Sequence, residues 1–312
     1  LRVAKTIYTI GAGTAGFAAD QIAYYLRKIS NKKAFSIKSY ETESYLNIMN
    51  KEDVVIALSQ SGETADTIEA IEMFKEKGVY IASVINMPGS TLSRISDTFF
   101  MSKAGSEICV ASTKVFTSQI SFGYLVSKTL IDEFNLAKKE LSVFSNNLES
   151  FFAKEKLDQI YNISKLLVDK DHFFILGKGQ NFHIAQEGAL KIKEISYKHF
   201  EGFAAGELKH GVIALIEKGT PVISIISKDE NEKDMISATY EVKARGALTI
   251  GIGDRIFNKE KCFDEFIEVA DIDEMKAISN VIPFQLISYY LAKELGNNID
   301  KPRNLAKSVT VK

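Results

Sequence analysis

Three hydroxyls, an amide and a glycine fall within six residues in the segment Leu58-Ser59-Gln60-Ser61-Gly62-Glu63-Thr64. The apolar run Val54 to Leu58 precedes the cluster and a helical stretch follows it, so it sits where a buried strand turns into a helix. A helix start presents unpaired N–H groups and the positive end of the helix dipole, and both favour a phosphate. Ser59, Gln60, Ser61 and Thr64 are therefore candidate phosphate ligands. The same residues also read as an N-cap cluster with no ligand, because serine and threonine commonly start helices. No lysine follows in the GxxxxGK[ST] spacing, which argues against a nucleoside triphosphate.

Other candidates are weaker when taken singly. Gly11-Ala12-Gly13-Thr14-Ala15-Gly16 has dinucleotide spacing, but Glu41 lies too far on to hold a ribose, and tight strand-to-helix turns explain the glycines better. Glu187, Lys191, Glu194 and Lys198 form one stripe of a helix from about residue 184 to 197, with Ala185, Ala189, Ile192 and Ser196 opposite. That stripe reads as a solvated face of Glu–Lys pairs, each worth a few tenths of a kcal/mol. His210, next to Gly211 in a non-repetitive segment, suits proton transfer near neutral pH, whereas His172, His183 and His199 read as structural. Cys109 has no histidine near it in sequence and reads as a buried small residue. No ligand spacing points to a metal, and no cofactor is called for.

The elements that position these residues are written twice along the chain. Ile7 to Gly13 and Phe173 to Gly179 are apolar runs entering glycine turns, each followed by a helix. Val54 to Leu58 pairs in this order with Val222 to Ile226, and Val79 to Val84 with Ala247 to Ile252. Continuous β-branched runs alternating with helices predict strands covered on both faces, hence two doubly wound parallel α/β sheets. Helical sequence from about 116 to 167 joins the halves, and an apolar helix over 282–295 carries Pro283 near its first turn. Three parts are expected: domains over 1–145 and 146–296, and an extended tail over 297–312.

Composition narrows the function classes. The 312 residues carry 39 Lys and Arg against 40 Asp and Glu, a formal charge of −1 that disfavours nucleic acid as a partner. No stretch is long and apolar enough to span a membrane, and the start does not read as a signal peptide, so a cytoplasmic protein is expected. Two cysteines do not make a disulfide framework. The chain starts at Leu1 and enters a strand by Ile7, as a piece of a longer polypeptide would.

Taken together, the segments Leu58 to Thr67, Val110-Ala-Ser-Thr-Lys114, Glu187 to Tyr197, Ala205-Gly-Glu-Leu-Lys-His-Gly211 and Pro302 to Val311 resemble the sugar-isomerase (SIS) family. Within it they resemble the isomerase half of the glucosamine-6-phosphate synthases, over essentially the whole chain. The resemblance implies two SIS-type, flavodoxin-like domains with helices on both faces, and a tail closing over the active site. It implies that Ser59, Gln60, Ser61 and Thr64 hold the phosphate of fructose 6-phosphate, while Thr14, Val110, Ser112 and Ala306 contact the sugar. Lys307 would form a Schiff base with the open-chain ketose. Glu194 would move a proton between C1 and C2, Lys191 would assist, and His210, delivered from the partner of a homodimer, would open the ring. The product would be glucosamine 6-phosphate, with ammonia supplied by an N-terminal glutaminase domain that this chain lacks. One departure stands out: the family's first loop reads Cys-Gly-Thr-Ser, and here it reads Ala12-Gly13-Thr14-Ala15, so a hydroxyl is missing at position 15. A SIS-type deaminase or simple phosphosugar isomerase, and a non-catalytic sugar-phosphate sensor, remain as alternatives.

Overall fold

The computed structural model describes every residue except Asp271, Val311 and Lys312. The last residue of the tail motif, Val311, therefore lies outside the described residues. The chain separates into two compact units, residues 1–142 with the tail from Asn304, and residues 143–303.

The first unit runs β1 (Ile7–Gly11), α1 (Gly13–Lys28), β2 (Ala34–Lys38), β3 (Val54–Ser59), α2 (Ala65–Glu76), β4 (Tyr80–Ile85), α3 (Thr91–Ile95), β5 (Thr98–Met101) and α4 (Lys114–Thr129). Its five strands are parallel in the order β2-β1-β3-β4-β5. Val55 through Ser59 are all buried, as a strand covered on both faces requires. Ile10, Val55, Ile71, Phe74, Ile81 and Ile85 join in one core, each contributing about 1.5–3 kcal/mol by leaving water. Gly11 is required at the first turn, since a Cβ there would lie 2.6 Å from the backbone of Ala15.

The helix α5 (Phe134–Phe151) passes into the second unit, which continues α6 (Lys154–Leu166), β6 (His172–Gly177), α7 (Gln180–Ser196), β7 (His199–Ala204), β8 (Pro221–Ile226), α8 (Glu232–Lys243), β9 (Leu248–Gly253), β10 (Glu265–Glu268) and α9 (Lys276–Glu294). Its parallel sheet has the order β10-β9-β8-β6-β7. Numbered within each unit, both sheets run 2-1-3-4-5, the flavodoxin-like order, so the duplication expected from the sequence is present in topology. In each, the connection reverses direction beside the first strand, at β1/β3 and β6/β8, and ligands of such sheets collect at the carboxyl ends there.

Several expectations shift. The strands β2, β5, β7 and β10 were not expected, and α1 and α7 begin about four or five residues before their expected starts. The last helix begins at Lys276, which leaves Pro283 inside it rather than in its first turn. Cys109 is only half-buried, while Cys262 is the enclosed thiol.

Candidate functional site

The turn from β3 into α2 carries the serine-rich cluster at the reversal point of the first sheet. Ser59 is 2% exposed, and its Oγ accepts the Gly62 N–H at 2.8 Å and lies 3.4 Å from Thr64 Oγ1. Ser61 Oγ accepts the N–H of Glu63 at 3.1 Å. Gly62 has a φ of +68°, and a Cβ on it would lie 2.1 Å from Ser90 Oγ, so only glycine fits. Glu63 reaches across to α3, where it accepts the Thr91 N–H at 2.7 Å. That bond, the Thr91 hydroxyl and nearby Arg94 hold the Glu63 carboxyl below its ordinary value against a small opposing effect of burial. Thr64 is the N-cap of α2 but makes no side-chain cap bond. The simple capping account thus fails at Thr64, and the Ser59 and Ser61 oxygens shape the turn by accepting its backbone N–H groups.

The tail from Asn304 lies on this turn. Ser308 Oγ is 3.0 Å from Ser61 Oγ, and the Val309 carbonyl accepts the N–H of Ala65, the first residue of α2, at 3.1 Å. Lys307 Nζ donates to Glu107 Oε2 at 2.9 Å and to the Cys109 carbonyl at 2.8 Å. Glu107 belongs to the segment between β5 and α4, with its side chain 3% exposed. Its Oε2 also accepts from Ser112 Oγ at 2.8 Å, and its Oε1 accepts the N–H groups of Thr113 at 2.8 Å and Val115 at 3.3 Å, at the start of α4. Burial would push the Glu107 carboxyl up, but the Lys307 ammonium, Thr113 N–H and Ser112 hydroxyl outweigh it and hold it below the ordinary carboxylate value. Asn86, just past β4, holds the same segment, donating to Gly105 O at 2.8 Å and accepting from Ala104 N at 3.0 Å. Thr14 and Val110 are half-buried, and Ala306 is exposed.

The first unit therefore brings together Ser59, Gln60, Ser61, Thr64, Ser112 and Lys307 through the turn and the tail. Glu107 and Ser308 were missed by the sequence reading. A lone acid five residues before Ser112, in a segment with no helical period, was the available signal. At the end of β2, Lys38 pairs with Asp20 at 2.6 Å and donates to Gly16 O at 3.0 Å, so a cation stands where a dinucleotide fold places its ribose acid.

In the second unit, Glu187, Lys191 and Glu194 lie on α7. The expectation of a solvated stripe is overturned: Glu187 and Lys191 are 0% and 1% exposed. Lys191 Nζ lies 2.5 Å from Glu194 Oε2 and 3.6 Å from Glu187 Oε1. A buried ammonium is tolerable here because carboxylates flank it on both sides. The opposite face, with Ala185, Ala189 and Ile192, is buried too, and Gly188 gives room to Phe284 of α9. Lys198 lies just past the end of α7, half-buried, and pairs with the exposed Asp171 at 3.1 Å. His210 ends a 3-10 turn over Ala205–His210 and is exposed. It lines a cavity of about 310 Å³ with Lys178, Lys209, Asp234 and Ser237, which neither Glu194 nor Lys191 lines.

Comparison with known proteins gives one family. The SIS domain matches residues 1–127 and 166–294. Glutamine–fructose-6-phosphate aminotransferase (isomerizing) of Pyrobaculum aerophilum is 40% identical over 316 residues, covering 100% of this chain and 52% of that protein. The protein of the same name from Clostridium tetani is 41% identical, covering 98% of this chain and 52% of its own length. The chain thus spans about half the length of the curated relatives it matches. Among solved structures, the C-terminal domain of glucosamine-fructose-6-phosphate aminotransferase from Francisella tularensis aligns with a TM-score of 0.85 and 32% identity over 96% of this chain and 87% of that one. A glucosamine-6-phosphate deaminase from Thermotoga maritima aligns at a TM-score of 0.81 with 22% identity, over 99% and 91%, a likeness of fold alone.

Proposed function

This chain belongs to the SIS domain family, and from that footing we propose that it is the isomerase half of a glutamine–fructose-6-phosphate aminotransferase. It takes fructose 6-phosphate to glucosamine 6-phosphate, with ammonia from a glutaminase domain elsewhere in the full-length protein. One observation carries this reading. The tail of the first unit holds the Lys307 amine on Glu107 and, one residue later, Ser308 on Ser61 of the candidate phosphate turn. A nucleophile and an anion seat thereby share one side of one sheet.

The phosphate is held by Ser59, Gln60, Ser61 and Thr64 at the positive end of α2. Thr14, Val110, Ser112 and Ala306 contact the sugar, and Ala15 forfeits one hydrogen bond worth about 0.5–1.5 kcal/mol. The Lys307 amine adds to C2 of the open-chain ketose and water leaves, so that fixed positioning replaces a bimolecular encounter. In this reading Glu194, on α7, moves the proton between C1 and C2. Its contact with the buried Lys191, at 2.5 Å, sets an N–H donor beside the carboxylate that handles the proton. The exposure of His210 fits delivery to the partner of a homodimer, where it opens and closes the ring. Such metabolism of sugar phosphates fits a cytoplasmic setting.

Identity of about 40% to the aminotransferases, against 22% to the deaminase, favours this over the deaminase, isomerase and sensor readings. The test is to supply fructose 6-phosphate and follow glucose 6-phosphate, then to add ammonium and follow glucosamine 6-phosphate. Product is expected from the intact chain, and amination by Lys307→Ala is expected to be lost while sugar-phosphate binding persists in calorimetry. Full amination by that variant, or binding without turnover in the parent, overturns the proposal.

A further inference from the structure

We propose that Glu107 is the counterion of the protonated Schiff base formed at Lys307. The inference rests on the reading of Lys307 as nucleophile and adds a residue to that reaction. Glu107 Oε2 lies 2.9 Å from Lys307 Nζ, and its side chain is 3% exposed. Three further donors, from Ser112, Thr113 and Val115, fix the carboxylate at the start of α4. None of these donors depends on the tail, so the acid is positioned independently of the lysine it faces.

The reaction keeps the charge that this geometry requires. Overall, an ammonium and a ketone become an iminium and water: the nitrogen lone pair forms the bond to C2, the carbonyl oxygen departs as water with two protons from nitrogen, and one N–H remains. One positive charge sits at Nζ before and after the step, so the ion pair with Glu107 need not be broken. The ammonium donates to both Glu107 and the Cys109 carbonyl. The iminium has a single N–H, and the ionised carboxylate is the stronger of the two acceptors. A cationic nitrogen at C2 withdraws electrons from the C1–H bond, which is the bond a base must break. The same favourable hydrogen bonds that hold the Glu107 carboxyl below its usual value keep it ionised throughout the working range.

Borohydride reduction of the chain with fructose 6-phosphate, followed by peptide mass spectrometry across pH 6 to 10, reads the protonated adduct directly. The intact chain is expected to carry the reduced hexose phosphate on Lys307. Glu107→Gln is expected to trap about tenfold less at alkaline pH, with the limit of trapping moved down by about one pH unit. Glu107→Asp retains the charge but retracts it, and about a threefold loss is expected; if the glutamine variant does not fold, the aspartate variant decides alone. Trapping by these variants with the parent's yield and pH profile overturns the counterion while leaving Lys307 as nucleophile. No adduct on Lys307 in the parent overturns both.

Discussion

The Ser308 hydroxyl lies 3.0 Å from that of Ser61, so the C-terminal tail is fastened to the turn that starts α2. The same turn gives its first helical N–H, from Ala65, to the Val309 carbonyl. A phosphate seated at this helix start competes for these groups, and its binding is therefore coupled to movement of the tail that carries Lys307.

Removing either hydroxyl from the turn separates seat from shape. Ser61→Ala deletes a hydroxyl that accepts Glu63 N–H at the half-buried edge of the turn, and Ser59→Ala deletes the buried acceptor of Gly62 N–H. Calorimetry with fructose 6-phosphate is expected to show about five- to tenfold weaker binding for Ser61→Ala, about 1–1.4 kcal/mol. Ser59→Ala is expected to weaken binding and also to cost about 1–3 kcal/mol of stability by orphaning a buried N–H. Unchanged affinity in both variants would move the phosphate elsewhere.

Gly62→Ala tests the turn itself. The φ of +68° and a Cβ placed 2.1 Å from Ser90 Oγ require the backbone to shift. A stability loss of about 1–3 kcal/mol in urea denaturation, together with weakened sugar-phosphate binding, is expected. A variant of parental stability would mean that the turn has room this geometry denies.

The burial of Glu187 and Lys191 on α7 predicts an asymmetry between Lys191 and Lys198, which lies just past the helix. Lys191→Ala removes the ammonium beside the buried Glu187 carboxylate and is expected to cost about 3–5 kcal/mol. Lys198→Ala removes a partner of the exposed Asp171 and is expected to cost less than about 1 kcal/mol. Equal losses in denaturant titrations would return the stripe to the surface.

That asymmetry also marks what the sequence could convey. The i, i+4 and i+7 spacing of Glu187, Lys191 and Glu194 tells which residues share a face, not what covers it. Packing of Phe284 against Gly188 brings in α9 from a hundred residues away, and no local pattern records that. The central strands β1, β3, β4, β6, β8 and β9 were legible because burial on both faces demands continuous apolar runs. The missed strands β2, β5, β7 and β10 stand beside them with mixed burial, so their sequences need not be apolar throughout. In the site, the serine-rich turn was readable because its chemistry is compressed into six residues. Glu107 was not, because its meaning comes from a lysine 200 positions later.

Acidification probes Glu107 through stability. Its folded value lies below the unfolded value, so its contribution is fully present above the unfolded value of about 4.3 and is lost as pH falls through the folded one. The stability advantage of the parent over Glu107→Gln is therefore expected to be constant near neutrality and to shrink between about pH 5 and pH 3. Urea midpoints across that range check it, and a gap that stays constant or widens on acidification contradicts the ion pair.

The two thiols should differ in accessibility. Cys262 is fully buried with its thiol pushed up to about 11, while Cys109 is half-buried on the segment that faces the tail. At pH 8 an aromatic disulfide reagent is expected to label Cys109 first and Cys262 only after denaturant is added, since about one part in a thousand of Cys262 is thiolate. Early labelling of Cys262 would contradict its enclosure.

The central claim is that one unit seats the sugar phosphate and reaches its carbonyl carbon with Lys307. A crystal structure of the chain soaked with fructose 6-phosphate tests this most directly. Phosphate oxygens are expected within hydrogen-bond distance of Ser59, Ser61 and Thr64, with density continuous from Lys307 Nζ to C2. Phosphate bound away from that turn, with the Lys307 amine beyond bonding reach of the sugar, would contradict it.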